Sequence, residues 1–174
     1  MWLMRGSHQG HIGVTPGSCG SSGSIRVQGV HVIWVVREHD PNGIDVEAVR
    51  QHLYRDGGAG STVAGTRGAA LVDGLEAAPG EITLVKKRFS AFFHTHLDLL
   101  LRRLGVREVA VCGVQTPNCI RATAVDALGL DYGVSVLADA TASKSGEVQE
   151  SNLEDMRCMG IRTPTVAGWA AGLK

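Results

Sequence analysis

What this chain lacks narrows its function before any motif is read. It has no net charge, since 17 Lys and Arg balance 17 Asp and Glu. A neutral chain gives no global electrostatic argument for a nucleic-acid or membrane partner. No apolar run approaches the ~18 residues that a membrane span needs. The four cysteines, Cys19, Cys112, Cys119 and Cys158, show neither C-x-x-C pairing nor zinc-ligand spacing. That excludes a disulfide framework, reads as reduced thiols, and leads us to expect a cytoplasmic protein. No Gly-x-Gly-x-x-Gly or Walker-type segment follows any predicted strand, which removes the nucleotide-binding α/β domains. Acids are missing from the whole amino-terminal stretch; the first is Glu38.

What is present fits one domain. With 174 residues, 44% of them apolar and 20% charged, the chain can bury a sizeable core. Residues 1–24 differ from the rest, because eleven of them are Gly or Ser. Such a leader buries too little apolar area to offset its ordering entropy, and we expect it to be irregular. His8 and His11 have no Cys, Asp or Glu near them and read as a solvated tail. The Gly17, Gly20, Gly23 spacing is wrong for a phosphate loop. The composition resembles an organelle transit peptide in lacking acids, against which stands its single early Arg5.

From Val30 the pattern becomes regular, so the domain is read over residues 25–174. Val30 to Val36 is a continuous apolar run rich in β-branched residues, as a strand covered on both faces would be. A polar loop follows, and then a long irregular stretch to Gly65. A short helix is expected to carry Leu71, Val72 and Leu75. Strands are predicted at Ile82–Val85, Val109–Val114, Val134–Ala138 and Ile161–Val166. Leu97, Leu100, Leu101 and Leu104 fall on one face of a helix that Gly105 stops. Further helices run from Cys119 to about Leu128 and from Glu147 to Met159, the latter with Val148, Leu153 and Met156 inward. This alternation implies a three-layer α-β-α fold around a mostly parallel sheet, Rossmann-like in outline. Ligands in such folds bind beyond the carboxyl ends of the strands.

Two segments lie at those ends. Gly113-Val114-Gln115-Thr116-Pro117-Asn118-Cys119 leads from a buried strand into a helix. A cysteine there meets unsatisfied N–H groups and the positive end of the helix dipole, which favour a thiolate. On its own the segment fits a nucleophile or a buried packing cysteine equally well. The second is Leu84-Val85-Lys86-Lys87-Arg88-Phe89-Ser90-Ala91-Phe92, an apolar strand ending in cations. The other basic pair, Arg102-Arg103, reads as a solvated helix face, and neither extends into a patch with interleaved aromatics.

Together the two segments resemble the isochorismatase-like family of cysteine hydrolases, which includes nicotinamidases, and its plant members above all. That family carries a strand-end Lys followed by x-Arg-aromatic-Ser-Ala-Phe, and further on a Gly-Val-x-Thr-x-x-Cys turn. The resemblance runs from about Ile25 to the carboxyl terminus. It implies that Cys119 attacks the carbonyl carbon of a small amide or related substrate, assisted by Lys86. It also implies an oxyanion site at the N–H groups of Gln115 and Cys119, with a cis peptide at Val114–Gln115. Arg37, His39, Arg50 and Arg88 are candidates to contact an anionic substrate, each equally plausible as a loop-holding partner. Some nicotinamidases hold zinc through an Asp-x-His motif. Arg37-Glu38-His39-Asp40-Pro41 occupies roughly that loop without the motif, so no metal and no cofactor are expected.

One part of the pattern is missing. The family's first strand ends in an Asp that exchanges the thiol proton, in a segment resembling Leu-Leu-Val-Ile-Asp-Met-Gln, and this sequence has no such segment. Losing a general acid–base costs ~10²–10⁴ in rate. Glu38, Asp40 and Asp45 are the acids nearest to hand. An absent central strand would leave two sheet edges unpaired and a groove in the core. Ile12-Gly13-Val14 is the only apolar stretch we read as a replacement. The expectation is a hydrolase of impaired activity acting on a small molecule, and a homo-oligomer. The alternative is a non-catalytic pseudoenzyme that keeps the fold for binding or assembly.

Overall fold

The computed structural model describes residues 2–6, 30–54 and 60–173. Five strands form one sheet: β1 (Trp2–Gly6), β2 (Val32–Arg37), β3 (Ile82–Lys86), β4 (Glu108–Val114) and β5 (Gly133–Ala142). Their order is β3-β2-β1-β4-β5. β2 runs parallel to β3, and β4 parallel to β5. Side chains alternate across this sheet. Ile33, Val35, Leu84, Val109, Val111, Val134 and Val136 enter a core covered by helices α1 (Leu97–Arg103), α2 (Arg121–Gly129) and α3 (Gly146–Cys158). Trp34, Ala110, Cys112 and Leu137 face the other way, into a smaller core with Val166 and Trp169 of α4 (Val166–Ala171). Period-2 exposure of apolar side chains to two covered faces makes this a three-layer α/β fold.

The centre of the sheet is not where the sequence reading left it. β1 comes from the leader that was expected to be irregular, and it pairs antiparallel with β2 and with β4. The two edges expected to be open are therefore filled, and the groove argued from them is absent. Trp2-Leu3-Met4 is a short apolar run whose signal vanishes when composition is averaged over the Gly/Ser-rich residues that follow. Ile12-Gly13-Val14, His8, His11, Cys19 and the Gly17 to Gly23 run lie outside the described residues.

Two smaller expectations also change. The segment carrying Leu71, Val72 and Leu75 is a series of turns, with Gly65, Gly74 and Gly80 in left-handed conformation, which a helix does not contain. Leu71 and Leu75 still pack on the smaller core, while Val72 is exposed. The predicted last strand is reduced to a single bridge between Arg162 and Ser135. Pro164 has no N–H to continue the ladder, and Thr165 already caps α4 by accepting from the Gly168 N–H. A 3₁₀ helix at Ala48–Leu53 falls within the stretch read as irregular.

Candidate active site

Lys86 ends β3 and Cys119 lies in a π-turn, Thr116–Ile120, just before α2, so both reach the carboxyl-end rim of the sheet. One hydrogen bond fixes their relation. The Ala91 N–H donates to Thr123 Oγ1 at 3.0 Å, and both residues are fully buried. That bond ties the loop after Lys86 to the helix behind Cys119. Lys86 itself is 1% exposed. Its ammonium donates to the carbonyl oxygens of Arg88 and Phe89 and lies close enough to Cys119 for charge on the sulfur to act on it. Burial pushes the lysine below its ordinary value, and the contact with Cys119 offsets only part of that push.

The approach to Cys119 is built from a tight turn. The Val114–Gln115 peptide is cis. Thr116 is buried and donates to Gln149 Oε1 of α3 at 2.6 Å, which pins the turn to the helix layer. The Asn118 N–H bonds the Gln115 carbonyl at 3.1 Å. Gln115 is exposed and Cys119 half-buried, so the oxyanion positions named from the resemblance lie beside open solvent.

The other candidate residues gather on the loop after β2. Arg37 Nη2 contacts Glu47 Oε1 at 2.7 Å and Oε2 at 2.5 Å, while its Nε donates to His39 Nε2 at 2.9 Å. With Nε2 accepting, the Nδ1–H of His39 donates to Asp45 Oδ1 at 3.0 Å. Burial, helped by Arg37, lowers the His39 pKa against the opposing pull of Asp45 and Glu47. Both ring nitrogens are engaged, and the described residues contain no group of three or more His, Cys, Asp or Glu able to hold a metal ion. Lys87 pairs with Asp45 at 2.8 Å, and Arg88 Nη1 donates to the Asp45 carbonyl at 2.7 Å. Phe89 is flanked by two guanidinium groups, Arg37 at 4.9 Å and Arg50 at 5.7 Å from the ring centroid. The loop is held from behind by Tyr54, whose ring a Cβ on Gly60 would strike at 1.9 Å, so glycine is required there.

The structure places Lys86 and Cys119 at one rim, and beside them Glu47, whose charge acts on Lys86 and which the sequence reading did not name. No periodicity or motif marks it. Among the described residues no carboxylate hydrogen-bonds Lys86 or Cys119. Asp40 Oδ1 takes the Asn42 N–H, and Asp45 is spent on Lys87 and His39.

Residues 23–167 match the isochorismatase domain. A probable inactive nicotinamidase of Arabidopsis thaliana is 48% identical over 150 residues, 85% of this chain and 76% of that protein. The ureidoacrylate amidohydrolase RutB of Methylorubrum extorquens is 33% identical over 163 residues, 86% of this chain and 66% of that protein, just under two thirds of its length. Among solved structures, an isochorismatase family protein from Desulfovibrio vulgaris superposes with a TM-score of 0.77 at 51% identity, covering 81% of this chain and 74% of that one.

Proposed function

The chain belongs to the isochorismatase family, and we propose that Cys119 forms a thioester with small amides, or the S-carbamoyl counterpart with ureides, and releases the acid or carbamate product slowly. One observation carries this reading: the burial of Lys86 close enough to Cys119 for charge on the sulfur to act on the lysine. In the first half-reaction the sulfur bonds to the carbonyl carbon and the C–N bond breaks. The departing nitrogen takes a proton, and water then cleaves the thioester and restores the thiol. Lys86 is the cation beside the sulfur, and its lowered pKa makes it the relay for that proton in this reading. A buried ammonium held by two carbonyls is a poor relay compared with a carboxylate, so turnover is slow. The ureide half of the proposal draws support from the ureidoacrylate amidohydrolase relative.

A binding role without chemistry is favoured by one observation, the description of the Arabidopsis relative as probably inactive. Intact-mass spectrometry separates the two. Incubation with amides and ureides should leave an acyl adduct on Cys119, with ammonia released at a matching slow rate. If no substrate of either class gives adduct or ammonia, the catalytic proposal is wrong and the binding role stands.

A further inference from the structure

The sheet has a second opening, at the end away from Cys119. Glu108 is the first residue of β4 and Ser135 the third of β5, so both lie near the amino ends of their strands, whereas Cys119 follows the carboxyl end of β4. The seven residues of β4 hold the two ends about 20 Å apart. A cavity of about 630 Å³ lies at the amino end, between β5, residues 160–164 and α4. Ile161, Pro164, Trp169 and Leu173 give it apolar walls. Gly168 and Gly172 complete the α4 side, and within 4 Å a Cβ at either would meet only atoms of α4 and its cap, never the sheet. An apolar hollow of this size is what small-molecule sites use, provided a few polar groups converge on it.

Two such groups stand unpaired here. Val134 and Val136 point into the larger core, so alternation turns Ser135 the other way, toward α4 and the cavity. Ser135 is 1% exposed, and its Oγ has no hydrogen-bond partner among the described residues. The indole N–H of Trp169, half-buried on the α4 wall, has none among them either. A buried hydroxyl left unpaired is costly, and a ligand that pairs it removes that cost. Charge at the mouth is already matched. Arg162 pairs with Glu108 at 2.8 Å, and Arg157 pairs with Glu150 and Glu154. No lining residue is left with an uncommitted charge to draw an ion, so the ligand is neutral. We propose that this cavity is a second ligand site and that it takes a neutral, planar cyclic amide. A hydroxyl both donates and accepts, whereas an indole N–H only donates; together they match the adjacent C=O and N–H of a lactam edge. The flat ring fills the space beside Trp169 and Ile161. The site shares no residue with the Lys86 and Cys119 rim, so it stands or falls independently of the proposed function.

The test uses the full chain with oxindole, a neutral bicyclic lactam, and indane, the same frame without the amide. Two-dimensional ¹H–¹⁵N spectra follow the three tryptophan indole resonances during titration with each probe. Oxindole should shift the Trp169 signal, identified by its loss in Trp169→Phe, and should bind ~10-fold more tightly than indane. Ser135→Ala should weaken oxindole ~10-fold and leave indane unchanged. Cys119→Ser should leave oxindole binding as it is. Equal affinity for the two probes, an oxindole affinity untouched by Ser135→Ala, or a Trp169 signal that oxindole does not move overturns the assignment. Loss of oxindole binding in Cys119→Ser places the lactam at the other end of the sheet and overturns it as well. Should Ser135→Ala fail to fold, N-methyloxindole reads the same contact in the parent chain. Without the N–H it should bind ~10-fold more weakly than oxindole, and equal binding rejects the site.

Discussion

Gly6 lies opposite Glu108 in the antiparallel pairing of β1 with β4, while Trp2 lies opposite Cys112. The carboxyl end of the central strand is therefore at the far end of the sheet from Cys119, which follows the carboxyl end of β4. A residue at the tip of β1 has no route to Cys119. The acid role that the resemblance assigns to such a tip is not one this strand orientation can supply, so the proposed function gives the proton to Lys86.

The first prediction concerns thiol reactivity. Burial pushes the Cys112 thiol up to about 12, so it should stay inert. Cys158 is exposed in the last turn of α3, at the negative end of the helix dipole, which disfavours a thiolate. Iodoacetamide at pH 7 should label Cys119 before either of them. Lys86→Gln should slow Cys119 labelling by ~10-fold or more, with Cys158 as the unchanged internal reference. Equal labelling of Cys119 in the variant would remove Lys86 from the activation of the thiol.

How far the sequence carried is visible in particular residues. Lys86 and Cys119 were legible because each sits where an apolar strand breaks into a polar turn, and because the motifs around them are specific. The two faces of β2 and β4 were legible as continuous apolar runs. Trp2–Gly6 was hidden because five residues carry too little pattern to stand out from a Gly/Ser-rich neighbourhood. Strand direction was hidden as well, since period 2 reads the same both ways. The Arg37–Glu47 and His39–Asp45 contacts come from loop closure over Tyr54 and Gly60, and loop closure leaves no periodic trace.

A second prediction follows from Asp45. Burial works to raise its carboxyl, but hydrogen bonds from Lys87, the Asp40 N–H and His39 outweigh it and hold the pKa at about 2. A folded value below the unfolded one, ~3.9, gives stability that is full above ~pH 4 and lost as pH falls through about 2. Asp45→Asn should therefore cost about 1–2 kcal/mol at neutral pH, after allowing for solvent screening of the partly exposed carboxylate. Urea midpoints of the two proteins should converge as the pH is lowered from 4 to 2. A gap that survives undiminished in acid would show that the effect is steric and not electrostatic.

Two buried hydroxyl groups give a contrasting pair. Ser135 Oγ is buried in β5 with no hydrogen-bond partner among the described residues, whereas Thr116 Oγ1 donates to Gln149. Removing an unpaired hydroxyl relieves a desolvation cost, so Ser135→Ala should be neutral or stabilising by up to ~1 kcal/mol. Removing a paired one strands its acceptor, so Thr116→Val should cost ~1–3 kcal/mol. Thermal unfolding reads both. A destabilised Ser135→Ala would mean that the hydroxyl is satisfied in solution.

The last prediction tests whether strand direction limits turnover. Replacing residues 1–24 with a strand of the family pattern, running parallel to β2 and β4, would place its terminal Asp at the Lys86 and Cys119 rim. Ammonia release should rise by ~10² or more, the low end for a general acid–base. An Asp→Asn change at the grafted position should cancel the gain. Gly6→Asp supplies the control, because it adds a carboxylate at the tip of β1 beside Glu108, at the far end of the sheet. It should leave the rate unchanged. If Gly6→Asp accelerates release as the graft does, β1 does not run in the direction described. If the unmodified chain already turns over at an ordinary enzymatic rate of ~1–10³ s⁻¹, then Lys86 relays the proton as well as a carboxylate would, and slow release is the wrong reading.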